Sequence, residues 1–474
     1  MITSRGRNAR WQIILEFSSD NMPTASNVVM KTIPGPRGLP LLGVMPEMVS
    51  DMLGLFTNTA RDHGGIAQFK LLGKPYLLVT NPDYVKYILQ DNYHNYIRGR
   101  SVETGRVLLG NGLPLTDGDF WLRERRLLQP AFHRDRLQDL TDTAGKVVGS
   151  FLDSWSDKAR ANQMIDMDDE MMRLTLTVII KSMFSADIDD KILALSHAFN
   201  VASKFMLWRS QQMWAPPLNI PVPRNVEYNR ALNVLNETIY PLIADARKNP
   251  KDDLLGMMLE MRDAETGEGM SDQQARDEVV TIFFAGHETT AATMTWAFYS
   301  LWQKPEVEGR LRGELKAVLD GRMPTFSDLP KLTYMQMFVN EVLRLYPAAY
   351  LFAREAIQDD VIDGYPIGKG VLIFITPFIT HRDPNYWKDP DTFDPERFTL
   401  DNIASRPKHV YYPFGEGPHV CIGNNFALME MQLILAGALQ RFKFTLDPAQ
   451  KIAFKPEATL RPKYGMKFKI DSIV

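Results

Sequence analysis

Apolar positions recur with a helical period over most of the stretch from residue 118 to residue 350, the pattern of helices that bury one face. Breaks fall at Pro216-Pro217, from Pro221 to Pro223, at Gly267 and Gly269, and around Pro324, where a fixed φ or a missing Cβ interrupts the helix. The longest unbroken candidate runs from Ser271 to Gln303, and Ser271 followed by Gln274 reads as a capping box at its start. At 1.5 Å per residue it would be roughly 50 Å long. Its centre, Val279 to Ala285, is apolar nearly all round, which predicts a buried helix. Upstream, residues 66–80 alternate around Phe69, Leu71, Tyr76, Leu78 and Val79, with Gly73-Lys74-Pro75 between the halves, and read as a β-hairpin. Before it, the prolines and glycines of residues 34–43 predict a stiff, non-helical strap.

After Pro347 the period shifts. Residues 360–376 read as short strands with turns at Gly364 and Gly368. Residues 381–420 are rich in Pro, Asp and aromatics, a long ordered loop of the kind that is uncommon unless functional. Helix returns from about Gly423 to Phe442. The expected fold is therefore mainly α with a small β region (α+β). No linker divides it, so residues 31–474 are expected to form one large domain, preceded by a flexible extension over residues 1–30.

Composition narrows the function. The 474 residues are 45% hydrophobic and 23% charged, with a formal net charge of −3, so a general polyanion binder such as a nucleic-acid protein is not expected. One cysteine excludes an intramolecular disulfide and any zinc or iron–sulfur site built from several thiolates. The apolar stretch from Trp11 to Phe17 is short and carries Gln12 and Glu16, whereas a spanning helix needs about 20 apolar residues. No transmembrane anchor is expected, and His287-Glu288 argue against a span in the long helix.

The single cysteine sits in Phe414-Gly415-Glu416-Gly417-Pro418-His419-Val420-Cys421-Ile422-Gly423. A lone cysteine is more often an inert core residue than a ligand. Here glycines on both sides allow backbone to approach a bulky group. A helix starting just beyond would lower the thiol pKa through its N–H groups and dipole. This segment resembles the haem-binding loop of the cytochrome P450 family, Phe-x-x-Gly-x-[Arg/His]-x-Cys-x-Gly. The resemblance implies haem b (iron protoporphyrin IX) with Cys421 as the axial thiolate, Phe414 packed beside the sulfur, and Gly423 closing the loop. His419 stands where the family more often has a propionate-binding Arg, which leaves its charge dependent on its local pKa.

Three further segments occur in the family's order. Ala285-Gly286-His287-Glu288-Thr289-Thr290 is similar to its oxygen-activating segment, with Thr289 as hydrogen-bond donor to the oxygen and Glu288 as proton relay. A threonine hydroxyl there can bond the carbonyl four residues back and loosen the helix. His287 is read as a polar helix residue, and the segment lacks the second histidine at i+4 that a zinc site would need. Glu341 and Arg344, at i and i+3, share a helix face; the resemblance joins them to Arg397 as a buried charge triad with a folding role. Trp121 and Arg125, and later Arg354, match positions that face the haem propionates, whereas Arg123 and Arg126 read as a solvated basic face that could meet an acidic electron donor.

The resemblance covers residues 33–470 and implies a soluble, bacterial-type haem-thiolate monooxygenase without a fused reductase. Its electrons would come from a separate ferredoxin- or flavodoxin-type donor, and a cytoplasmic location with room for peripheral membrane contact is expected. Three apolar regions are expected to meet the substrate: 99–118; 200–220, with Phe205, Met206, Leu207, Trp208, Met213 and Trp214; and Ala348 to Phe352. They suggest a lipophilic substrate such as a fatty acid, terpenoid or steroid. A peroxide-using or isomerising haem-thiolate enzyme and a non-catalytic haem-binding sensor remain alternatives, the first disfavoured by the Glu288-Thr289 pair.

Overall fold

A computed structural model describes residues 30–185, 191–210, 212, 214–263 and 265–472. Nearly all of the extension expected over residues 1–30, and Met213 of the second substrate region, lie outside these residues. The central helix spans Asp272–Gln303, capped by the Ser271 hydroxyl, which accepts the Gln274 N–H at 3.2 Å. Only half of the expected capping box forms, because the Gln274 side chain points forward to Glu278 at 3.5 Å. The helix is apolar all round because it is surrounded. Helices Met167–Phe184, Pro223–Lys248, Thr333–Leu345 and Asn424–Arg441 all pack against it. At Gly286 a neighbouring helix approaches closely: a Cβ there would lie 2.6 Å from the Ile179 side chain. The glycine in mid-helix is thus explained by helix–helix contact.

The hairpin forms from Ile66–Leu71 and Lys74–Val79. Its turn is Leu72-Gly73, both with positive φ, so Lys74 and Pro75 belong to the second strand and not to the turn. Positive φ at both central residues gives the tight two-residue turn that matches strand twist. The strap lies along this hairpin, Gln68 N–H donating to the Pro34 carbonyl at 2.7 Å. The second hairpin strand pairs in parallel with Leu372–Ile375, which in turn pairs with Phe352–Ala356 and then Tyr96–Ile97, completing a five-stranded sheet. The turn at Gly364 forms with Asp363, but in the next turn the positive φ falls at Gly370 and not at Gly368.

Strands Phe352–Ala356, Met164–Asp166, Phe442–Leu446, Phe454–Pro456, Leu460–Pro462 and Lys467–Ser472 were not apparent in the sequence pattern. The last four follow helix Asn424–Arg441 and fold its C-terminal continuation back over the central helix. There Trp296 stacks on Tyr346 with ring centroids 4.7 Å apart, and its indole donates to the Leu460 carbonyl at 2.8 Å. No described helix is long and apolar enough to cross a membrane.

Candidate active site

Cys421 precedes helix Asn424–Arg441, in a loop wound by consecutive turns. Gly415 and Gly417 have φ of 75° and 68°, and a Cβ on Gly417 would lie 2.1 Å from the Leu89 carbonyl oxygen, so no other residue fits there. The Cys421 N–H closes the loop on the Phe414 carbonyl at 2.9 Å. Cys421 carries accessible surface, yet enough protein surrounds it that burial pushes its thiol pKa up, against the opposing pull of the Gly423 N–H and Arg125. Cys421 thus keeps accessible surface while protein encloses much of its side chain. The helix start acts in the direction expected from the sequence, but burial outweighs it.

Beside the sulfur lies a group of cations. Arg125 donates to the Val420 carbonyl at 2.9 Å, and the Trp121 ring sits 4.0 Å from the His419 ring, centroid to centroid. Arg354 is buried, and among the described residues its guanidinium donates to its neighbour's carbonyl, Ala353, at 2.8 Å. Burial lowers its pKa to about 10. Arg98 joins them: burial and the nearby Arg354 lower its pKa to about 9. One carboxylate, Asp117, faces this group, 3.6 Å from Arg98. Burial and the same three arginines depress His419 to about 2, so it is neutral, and its buried Nδ1 has no partner among the described residues. Trp121, Arg125, Arg354 and His419 were singled out in the sequence, whereas Arg98, which the structure places among them, stands in no motif.

In the mid-section of the central helix Ala285 is exposed and Thr289, one turn further on, is half-buried. The Thr289 hydroxyl donates to the Ala285 carbonyl at 2.7 Å. The next residue, Thr290, is the polar group beside Glu430 on helix Asn424–Arg441, which packs this turn against that helix. Glu430 is fully buried without a well-formed hydrogen bond, and burial drives its pKa well above the carboxylate range. Its signal in the sequence was a lone acid in an apolar run, Met429-Glu430-Met431. Glu288 points to the other side of the helix, accepting from Thr459 at 3.1 Å and pairing with Arg461 at 3.5 Å. His287 is buried against the Phe283 carbonyl and the Phe199 ring, held neutral by burial.

Glu341 and Arg344 are fully buried and joined by two hydrogen bonds of 2.7 and 2.8 Å, with Arg397 3.4 Å from Glu341. Two of the three apolar regions meet: Phe205 stacks on Tyr228 at 4.1 Å, and the Tyr228 hydroxyl donates to the Val107 carbonyl. Phe352, from the third, lies 3.8 Å from where a Cβ on Gly415 would stand, beside the cysteine loop. Arg123 and Arg126 are not free: they face Glu268 and Glu265 at 3.9 and 2.9 Å, so an acidic loop of the same chain covers part of the basic face.

The family model of cytochrome P450 matches residues 33–470. The chain belongs to the cytochrome P450 family. It is 32% identical to cyclooctatin synthase of Streptomyces melanosporofaciens over 90% of this chain and 92% of that protein. Pentalenene oxygenase of Streptomyces avermitilis is 29% identical, over 87% of this chain and 91% of that one. Among solved structures, the haem domain of cytochrome P450DA superposes with a TM-score of 0.85 at 27% identity, covering 94% of this chain and 98% of that one. This cytochrome P450 is thus a monooxygenase, and the family's haem fits the residues present. An accessible sulfur suits an iron ligand. Three guanidinium groups facing one carboxylate, with an unpartnered histidine nitrogen among them, suit an anionic group that brings two carboxylates of its own.

Proposed function

We propose that this cytochrome P450 inserts one oxygen atom from O2 into a terpenoid, using electrons from a separate ferredoxin- or flavodoxin-type protein. The observation that carries the reading is the accessible Cys421 in its glycine-framed loop, together with a turn of the central helix at which Ala285 and Thr289 keep accessible surface. The substrate class is supported by relatives named for cyclooctatin, cyclooctat-9-en-7-ol and pentalenene. The apolar regions around Phe205, Val107 and Phe352 suit such a hydrocarbon skeleton.

In this reading Cys421 ligates the iron of haem b, Phe414 and Gly423 frame the sulfur, and Trp121, Arg98, Arg125, Arg354 and His419 surround the propionates. The haem would supply the redox and oxygen chemistry, which a thiolate ligand favours. The chain's own part is positional. The Thr289 hydroxyl donates to the Ala285 carbonyl, so in this state its oxygen is placed to accept from a water or a protonated group, and its expected role as donor to the oxygen would require this bond to open. Glu288, behind the same turn, supplies protons. Glu341, Arg344 and Arg397 anchor the long loop that precedes Cys421.

The carbon monoxide spectrum of the reduced protein tests the ligand. A strongly red-shifted Soret band is expected, and a histidine-type band in active protein would overturn the assignment. Titration of the ferric protein with cyclic terpenes tests the substrate: a spin-state shift is expected, and a response to small polar molecules alone would remove the terpenoid.

A further inference from the structure

The chain from Val107 to Leu113 belongs to the first apolar region, and three consecutive residues of the central helix hold its main chain. Arg276 donates to the Leu108 carbonyl at 3.1 Å, Asp277 accepts the Asn111 N–H at 2.9 Å, and Glu278 accepts the Leu113 N–H at 3.2 Å. The glycines between them are required by this fit. A Cβ on Gly110 would collide with the Asp277 carboxylate, and one on Gly112 with the Thr281 hydroxyl. From helix Pro223–Lys248 the Tyr228 hydroxyl donates to the Val107 carbonyl. The segment carries Leu108, Leu109 and Leu113, all buried, so the place where its backbone is held decides where this apolar wall stands.

The three holders differ in charge. Arg276 and Asp277 neutralise each other at 3.0 Å, and the Asn236 side chain takes the Arg276 Nε–H at 3.0 Å. Glu278 is fully buried, and no cation pairs with it among the described residues. Its other oxygen faces the Gln274 amide at 3.5 Å. Gln274 also stands beside Glu124 of helix Gly118–Leu128, which is fully buried with neither carboxyl oxygen hydrogen-bonded. The cation beside Glu124, Arg123, is 3.8 Å away and is shared with Glu268 at 3.9 Å. Two carboxyls in so dry a place cannot both be ionised.

We propose that Arg276, Asp277 and Glu278 are positioning residues for this wall, and that the clasp they form is locked by a proton on Glu278. With the proton in place, the carboxyl still accepts the Leu113 N–H and puts no charge beside Glu124. Once the proton leaves, the carboxylate gains by meeting water, which reaches it when residues 111–113 lift away. The inference takes from the proposed function only that this region meets the substrate. The surroundings set the pH window. Burial raises Glu278 to about 8, Glu124 and Asp277 pushing the same way and the Leu113 N–H and Gln274 pulling back. Burial raises Glu124 too, with Arg123 and Gln274 opposing and Asp263 adding. Residues 107–113 bring no titratable group, and Arg106 before them is turned to Glu103 and the Leu115 carbonyl. Helix Leu254–Glu260 brings only the exposed Glu260. A carboxyl whose pKa is raised in the closed form favours closure most at low pH. That advantage is lost as pH climbs from the ordinary carboxylate range to about 8, and changes no further above it.

Two measurements on the holoenzyme test this. The first is amide hydrogen exchange of residues 108–115, corrected for the intrinsic pH dependence of exchange. Protection in the wild type is expected to fall by about tenfold per pH unit between about pH 6 and 7.5. In Glu278→Gln, which keeps an acceptor for Leu113 and has no proton to lose, it should stay high at every pH. In Glu278→Ala it should be low at every pH. The lock is wrong if wild type and Glu278→Gln respond to pH alike. The clasp itself is wrong if Glu278→Ala and Asp277→Ala leave protection unchanged. If Glu278→Ala does not fold, the near-isosteric Glu278→Gln still decides. The second measurement is the rate at which 4-phenylimidazole reaches the ferric iron, read from its Soret shift. From pH 7 to 8 it should rise several-fold in the wild type relative to Glu278→Gln. Equal rates beside the expected exchange result would remove this wall from the substrate's path, and with it the part taken from the proposed function.

Discussion

Two buried charge clusters flank the cysteine loop, and they are built on opposite principles. In the first, every N–H of Arg344 is used: two bonds go to Glu341 and the rest to the carbonyls of His381, Pro390 and Thr392. Glu341 also accepts the Asp394 N–H at 2.8 Å. In the second, Arg98, Arg125 and Arg354 crowd together with Asp117 as the carboxylate facing them, and His419 Nδ1 is left over. Native proteins satisfy buried polar groups internally unless something else completes them. The Glu341-Arg344 pair is completed within the protein, although Arg397 Nε beside it makes no hydrogen bond, whereas three guanidinium groups against one carboxylate are what a bound anion would complete.

The sharpest way to break this comparison is to remove a member of each. Arg344→Ala leaves Glu341 without its closest cation in a fully buried setting, and should cost about 3–5 kcal/mol, read from urea unfolding. Replacing Glu341 and Arg344 together by Leu and Met should recover much of that, because the penalty comes from the charge left behind. A loss below about 1 kcal/mol for Arg344→Ala would mean that the triad is dispensable to the fold.

Arg354→Leu should behave in the opposite way. Burial and mutual repulsion already disfavour the charged form in the second cluster, so stability without haem should be unchanged or higher. Haem retention should fall, since a charge-assisted hydrogen bond contributes about 1.5–3 kcal/mol, or roughly 10- to 100-fold in affinity. Transfer of haem to a scavenger protein measures this. If Arg354→Leu unfolds the chain as readily as Arg344→Ala, the cluster is structural and the distinction fails.

The same contrast explains what could be read from the sequence. Cys421 with its glycines, the Thr289 turn and the Glu341-Arg344 pair depend on local spacing, and local spacing is what a sequence displays. The central helix was legible to within a residue because Ser271 caps it and its apolar run is long. Arg98 and Glu430 were not legible, since each acquires meaning only from side chains far away in the chain. The strands after Phe442 were missed for a related reason: they are three to six residues long, too short for a period to show. The direction in which Glu288 points was likewise invisible, because its partners Thr459 and Arg461 lie in that C-terminal hairpin.

The smallest expected effect calibrates the other two. Arg126 and Glu265 form an ion pair of 2.9 Å with both side chains substantially exposed. Such pairs gain little, because water already solvates both charges and the side chains lose freedom on pairing. Arg126→Gln should therefore change stability by about 0.5 kcal/mol or less, in the same urea assay that registers the loss in Arg344→Ala. A cost above about 1 kcal/mol would mean that the segment from Glu265 to Gly269 is held down by charge. Glu265→Gln separates this from recognition of an electron donor. If Arg126 meets an acidic donor, releasing it from Glu265 should speed reduction at low salt and leave stability alone. An unchanged rate would place Arg126 outside the docking face, as a solvated residue with no part in either cluster's logic.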